Sequence, residues 1–139
     1  MANKPNRRPM TLMMISDQAE RIHMALMVGA TAAATGRPVT YFFSKTAIMF
    51  LNVETRIVLK TSAGEVMTDM DAALIEKEVA DTGVLLDGLA ALDVRFVACE
   101  TALVEHDVDR TKLITRPAVE ISGLADVLEK GAGGDWLTF

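Results

Sequence analysis

Short apolar runs alternate along this chain with longer stretches of helical period. The first run, TLMMIS at 11–16, is almost continuously apolar. That is the pattern of a strand buried on both faces of a parallel sheet. Ser16 or Asp17 follows as an N-cap, and Glu20 stands three residues after Asp17, at capping-box spacing. The period then becomes helical over about 18–35, with Ile22, Leu26, Gly29 and Ala33 on one face. Gly36 fits the C′ position and Pro38 prevents further winding. VTYFFS at 39–44 reads as a second strand, and KTAIMFLN as a short helix after it.

The pattern weakens over 53–72, a more polar excursion in which RIVLK and EVMTD either pair as a small hairpin or stay irregular. A helix is predicted over about 72–92, interrupted near Gly83, with Val79, Leu85, Leu86, Leu89 and Leu92 as its buried face. VRFVAC is a third strand that ends at Cys99, and ETALVEHD a short helix directly after it. Asp109 caps the turn RTKL, AVEIS is a fourth strand, and Ser122 caps the helix GLADVLEK. GAGG closes that helix and DWLTF is a fifth strand.

Strands alternating with helices imply right-handed crossovers and a parallel sheet covered on both faces. The expected fold is a single flavodoxin-like α/β domain over 10–139, with a five-stranded sheet of order 2-1-3-4-5. Ligands in such sheets bind beyond the carboxyl ends of the strands, where the order reverses. In this order the reversal falls between the first and third strands. Ser16-Asp17 and Cys99 end those strands.

Composition narrows the function classes. A chain of 139 residues, half apolar and 24% charged, is globular and long enough to fold without a staple. A net charge of −5 argues against nucleic-acid binding, which needs clustered cations. The one basic cluster, Lys4, Arg7 and Arg8, lies in the Pro-containing start at 1–9, read as a disordered leader. Neither a secretory signal nor a run of about 20 apolar residues is present, so no membrane span is expected. One cysteine forms no internal disulfide, and a reducing cytoplasm is the expected compartment. The mean hydropathy is positive, which hints at self-association.

Candidate chemistry centres on Cys99. At the tip of a central strand and just before a helix, a thiol meets unpaired N–H groups that favour the thiolate. Glu100, a like charge beside it, opposes ionisation if it faces the sulfur. Against this stands the reading of Cys99 as a small core hydrophobe. His106 lies seven residues on, about 10 Å along a continuous helix and out of reach as a base. His23 and His106 both read as helix-face residues, and the Cys-His spacing matches no zinc site. P-loop, GxGxxG and GxSxG motifs are absent, so no cofactor is expected. Met67 and Met70 read first as core filling, and otherwise as cover for a ligand. Ser16, Asp17, Ser44, Lys45, Glu100 and Ser122 end or follow strands and are the candidate lining of the mouth, with Lys45 a cation for an anionic substrate.

The segments VRFVACETALVEHDVDRTKL and VEISGLADVLEKGAGGDWLTF resemble the closing half of DsrE/DsrF/TusD-like proteins, and TLMMISDQAERIHMALMVGATAAATGRPVTYFFS resembles their opening half. The resemblance covers about 10–52 and 74–139, and 53–72 match less well. It implies a cytoplasmic sulfur-handling protein whose functional cysteine falls on Cys99 and carries sulfur as a persulfide or thiosulfonate. It also implies homo- or hetero-trimers or hexamers, and exchange with small sulfur-carrier or rhodanese-like proteins. With no second cysteine, the sulfur would leave for another molecule. A sulfur carrier or sulfurtransferase subunit is thus the leading expectation. A non-catalytic small-ligand binding module and an oligomeric assembly subunit are the alternatives.

Overall fold

The computed structural model describes residues 7–139. Five strands, β1 Met10–Met14, β2 Val39–Phe43, β3 Arg95–Cys99, β4 Val119–Ser122 and β5 Asp135–Thr138, form one all-parallel sheet. Between them run helices α1 Ala19–Ala34, α2 Met67–Glu76, α3 Thr82–Ala91, α4 Glu100–Glu105 and α5 Leu124–Lys130. Tight 3-10 turns occupy Lys45–Leu51, Arg56–Val58 and Arg110–Lys112. This is the α/β sheet with helices on both faces that the alternating pattern predicts. Two contacts establish the two faces. The Tyr41 hydroxyl, level with Leu12, donates to the Ala25 and Leu26 carbonyls of α1. Gly131, just after α5, lies instead against Thr11 and Trp136. Thr11 and Leu12 alternate across the sheet, so α1 and α5 cover opposite faces.

The strands lie in the order β4-β3-β2-β1-β5. β1 therefore sits between β2 and β5, and β3 pairs with β2. The expected order 2-1-3-4-5 placed the reversal between β1 and β3, whereas it falls between β1 and β5. Handedness of a crossover is fixed by strand twist, but the number of strands it steps over is not. Here the crossovers from β1 to β4 each step one place in the same direction, and only β4 to β5 returns across the sheet.

Most element expectations hold to within a few residues, and the differences have local causes. The break in the predicted 72–92 helix falls at 77–81, where Glu78 adopts a positive φ and the Asp81 carboxylate caps α3 by accepting from Val84 N–H. Gly83 lies inside the first turn of α3, not at the break. Val79 and Leu92 are exposed, leaving Leu85, Leu86 and Leu89 as the buried stripe. α2 starts at Met67 within the polar excursion, and Met67 and Met70 are core residues. The hairpin reduces to one bridge, Lys60 with Val66, around Gly64 at φ +88°. Residues 1–6 of the expected leader lie outside the described residues. Arg8 and Pro9 are held: Arg8 pairs with Asp135, whose N–H donates to the Pro9 carbonyl.

Tyr41, Phe43, Phe96 and Phe50 form an aromatic layer beneath α1, with Tyr41–Phe96 centroids 5.0 Å apart and Phe43–Phe96 centroids 5.2 Å apart. Burial of such rings supplies most of a core's stabilisation. Among the described residues no helix is long and apolar enough to cross a membrane.

Candidate functional site

The carboxyl ends of the strands carry most of the candidate residues, and register decides which of them meet. Cys99 closes β3 and pairs with Ser122 at the end of β4. On its other side Ala98 pairs with Phe43, which sets Ser44 beside Cys99. Neighbouring strands stand about 4.8 Å apart, so Ser44, Cys99 and Ser122 form one row. Ser16 and Asp17 follow β1, and the whole of β2 separates them from Cys99. The expected juxtaposition of the β1 and β3 ends therefore does not occur.

Phe96 shares the α1 face with Tyr41 and Phe43. Three positions on, in extended conformation, Cys99 turns to the opposite face, towards α5. It is 6% exposed and packs with the core. Its backbone is the N-cap of α4, and no side chain caps that helix. The thiol is thus at the strand tip and before a helix start, as the pattern implied, but beneath the surface instead of at an open rim.

Ser122 does not cap α5, whose N-cap is Gly123. Its hydroxyl donates to Asp126 Oδ2 at 2.9 Å. Asp126 also meets Lys130 at 3.2 Å and Arg95 at 3.3 Å. Arg95 in turn forms a forked pair with Glu120. The Ser122 hydroxyl, with Lys130 and Arg95, holds the Asp126 carboxyl below the usual carboxylate range. Hydrogen bonding from Arg95 does the same for Glu120. This network fastens α5 to β3 and β4.

The cations and histidines fall elsewhere. Lys45, at positive φ, pairs with Glu105 Oε2 at 3.4 Å. His106 Nε2 lies 3.2 Å from Glu105 Oε1, without hydrogen-bonding geometry. His23 is buried in α1 and its Nε2 meets the Ala80 carbonyl at 2.8 Å, tying α1 to the turn before α3. Both histidines are structural in placement. Glu100 is exposed and, with Thr101, Val104 and Glu105, lines a cavity of about 440 Å³ along α4.

The start of α1 is already occupied. Ala19 N–H donates to the Lys60 carbonyl at 2.9 Å. Asp17 and Glu20 form no capping box. Gln18 is the N-cap, and the Glu20 carboxylate accepts from Ser62 N–H and Ser62 Oγ at 2.9 and 2.8 Å. Burial acts to raise the Glu20 pKa, but these bonds, with its own N–H and nearby Arg21, outweigh it and hold the carboxyl low. The Lys60 carbonyl thus takes the first N–H of this helix, and the Glu20 carboxylate beside it adds a negative charge that a phosphate would meet. Among the described residues no group of three or more His, Cys, Asp or Glu is placed to hold a metal ion.

No protein-family model matches the chain, and no curated protein is significantly similar to it. Solved structures do match. A protein of unknown function from Methanobacterium thermoautotrophicum, MTH1491, superposes with a TM-score of 0.62 at 13% identity, over 96% of this chain and all of that one. The ychN protein from E. coli gives 0.63 at 16%, also over 96% of this chain and all of its own. A conserved protein of unknown function from Bacteroides thetaiotaomicron, BT1422, gives 0.63 at 12%, over 99% of this chain and all of that one. At such identities the likeness concerns the fold.

Proposed function

We infer that this chain is a sulfur carrier or sulfurtransferase subunit of the DsrE-like kind, working in the cytoplasm as a homo-oligomer, with Cys99 as its sulfur-bearing residue. The observation that carries the reading is the position of Cys99: last residue of an inner parallel strand, N-cap of α4, flanked by Ser44 and Ser122. In the transfer, the Cys99 thiolate attacks the outer sulfur of a donor persulfide, R–S–S–H. A new S–S bond forms, the old one breaks, and R–S⁻ leaves with the electron pair. Cys99 then carries S–S–H, and the reverse step on an acceptor thiol unloads it. Charge and oxidation level balance without a further reactant. The burial of Cys99 shields a bound persulfide from water, and loading requires a local opening of the structure around it.

The test is intact-mass measurement after treatment with a persulfide donor. A gain of one sulfur on the wild type and none on Cys99→Ser is expected. No gain, or equal gain on both, overturns the reading. The same burial favours a second reading, an assembly subunit in which Cys99 is core. Complexes that persist in Cys99→Ser, without sulfur uptake in the wild type, would establish it. The filled start of α1 weighs against a nucleotide or flavin phosphate bound there.

A further inference from the structure

A surface helix ordinarily turns charged residues outward. The second half of α1 does not. From Met24 to Thr35 it carries no charged residue, yet Met24 is 51% and Met27 38% exposed. Beside these two methionines lies a cavity of about 360 Å³, walled by Met10, Val28 and Ala32 as well. The two hydroxyls on its wall are already engaged: Thr31 donates to the Met27 carbonyl and Thr35 to the Ala32 carbonyl. What remains is apolar except at one end. There Arg37 supplies the one charged side chain of the wall among the described residues.

Arg37 does not stand alone. It donates to the Arg8 carbonyl at 2.8 Å and pairs with Asp135, which also pairs with Arg8 at 2.9 Å. Arg7 Cδ lies 4.0 Å from where a Cβ on Gly36 would sit, next to Thr35 on the cavity wall. Three guanidinium groups thus gather at this end around a single carboxylate, and positive charge is in excess there. The basic start of the chain, which the sulfur chemistry leaves unused, is one half of this arrangement. The uncharged methionine face is the other.

We propose that this groove binds a small amphipathic anion, a carboxylate with a short apolar tail, whose tail lies along Met24 and Met27 and whose head meets Arg37, Arg7 and Arg8. The volume is at the low end of the roughly 300–1,000 Å³ of small-ligand sites, which suits one short chain or ring. Methionine side chains adapt to such tails without a fixed shape. Guanidinium groups accept a carboxylate through paired N–H donors. A second copy meeting through this same face would bring more guanidinium groups to a place already rich in them. The groove lies at the amino ends of β1, β2 and β5, the opposite end of the sheet from Cys99. The proposal is therefore independent of the sulfur-transfer reading.

The test uses the full chain with methionine methyls labelled with carbon-13, titrated with octanoate and with octan-1-ol. Octanoate should shift the Met10, Met24 and Met27 signals saturably and leave the buried Met14, Met67 and Met70 signals in place. It should bind about fivefold more tightly than octan-1-ol, the advantage of a partly exposed ion pair. Added salt should erode that advantage. Arg7→Gln with Arg8→Gln should also erode it, and Met27→Glu should abolish octanoate binding, each with the ligand-free methyl spectrum otherwise kept. The comparison of the two ligands needs no variant, so it stands even where a variant fails to fold. Equal affinity for the acid and the alcohol, or no saturable shift at these three methyls, overturns the proposal. Shifts of the same methyls with protein concentration alone, together with a doubled mass, give the face to a second copy and overturn it too.

Discussion

At the scale of single residues, close approach decides more than chemistry. Gly29 faces Tyr41 so tightly that a Cβ there would fall 1.8 Å from the phenol oxygen. Gly29→Ala should therefore cost about 1–3 kcal/mol in urea unfolding, the usual range for overpacking. Adding Tyr41→Phe should recover part of that loss, because the hydroxyl is the nearest of the Tyr41 atoms in the way. Fully additive losses would place the strain elsewhere. Burial also pushes the Tyr41 phenol's pKa upward, which keeps the hydroxyl a donor to α1. Cys99 was legible as a strand-end thiol from VRFVAC and the helix after it. Its 6% exposure was not, because burial at a strand tip depends on what the neighbouring strands and α5 place over it. At fixed pH, iodoacetamide should consequently modify Cys99 at least about tenfold more slowly in the native chain than in urea, since reaction needs local opening. Equal rates would show a freely open thiol.

Elements are held by caps and polar clasps that the sequence only partly announces. Asp81 caps α3 through Val84 N–H, and Asp81→Ala should lower stability by about 1 kcal/mol. The Glu20–Ser62 clasp joins elements 42 positions apart, beyond the reach of any local pattern. Asp17 and Glu20 looked like a cap because their spacing is right, but the tertiary partner won. Glu20, Glu120 and Asp126 all titrate below their ordinary values in the folded chain. Stability from a carboxyl with a lowered folded pKa is present above the unfolded pKa and is lost as pH falls through the folded one. Melting temperature should thus drop as pH falls below the usual carboxylate range. Hydrogen exchange should quicken first in α5 and in the 60–66 turn, the segments these groups fasten. Unchanged protection there in acid would remove the clasps from the account.

On the scale of the molecule, the sheet has a buried centre and two short edges. β4 and β5, four residues each, are the edge strands, and β2 lies between β1 and β3. Amide exchange should be slowest in β1, β2 and β3 and faster in β4 and β5, because sub-global opening begins at edges. The reverse ranking would mean that another chain covers the edges in solution. The same order explains the division of the candidate site. Ser44 and Ser122 accompany Cys99, while Ser16 and Asp17 stand two strands away beside the chain end, where Phe139 accepts from Ile15 and Ser16 N–H.

The chain's own pattern determined the alternation of strands and helices, the parallel sheet, the ends of most elements and the place of the thiol at the end of β3. Those features follow from period, from Gly and Pro, and from local caps, all of which act over a few residues. Strand order, the pairing of Glu20 with Ser62, the tie between Ser122 and Asp126 and the depth of Cys99 were decided only in the tertiary structure. Each depends on how far a crossover travels before it packs, and that distance is set by competition among whole faces, not by any short run of residues.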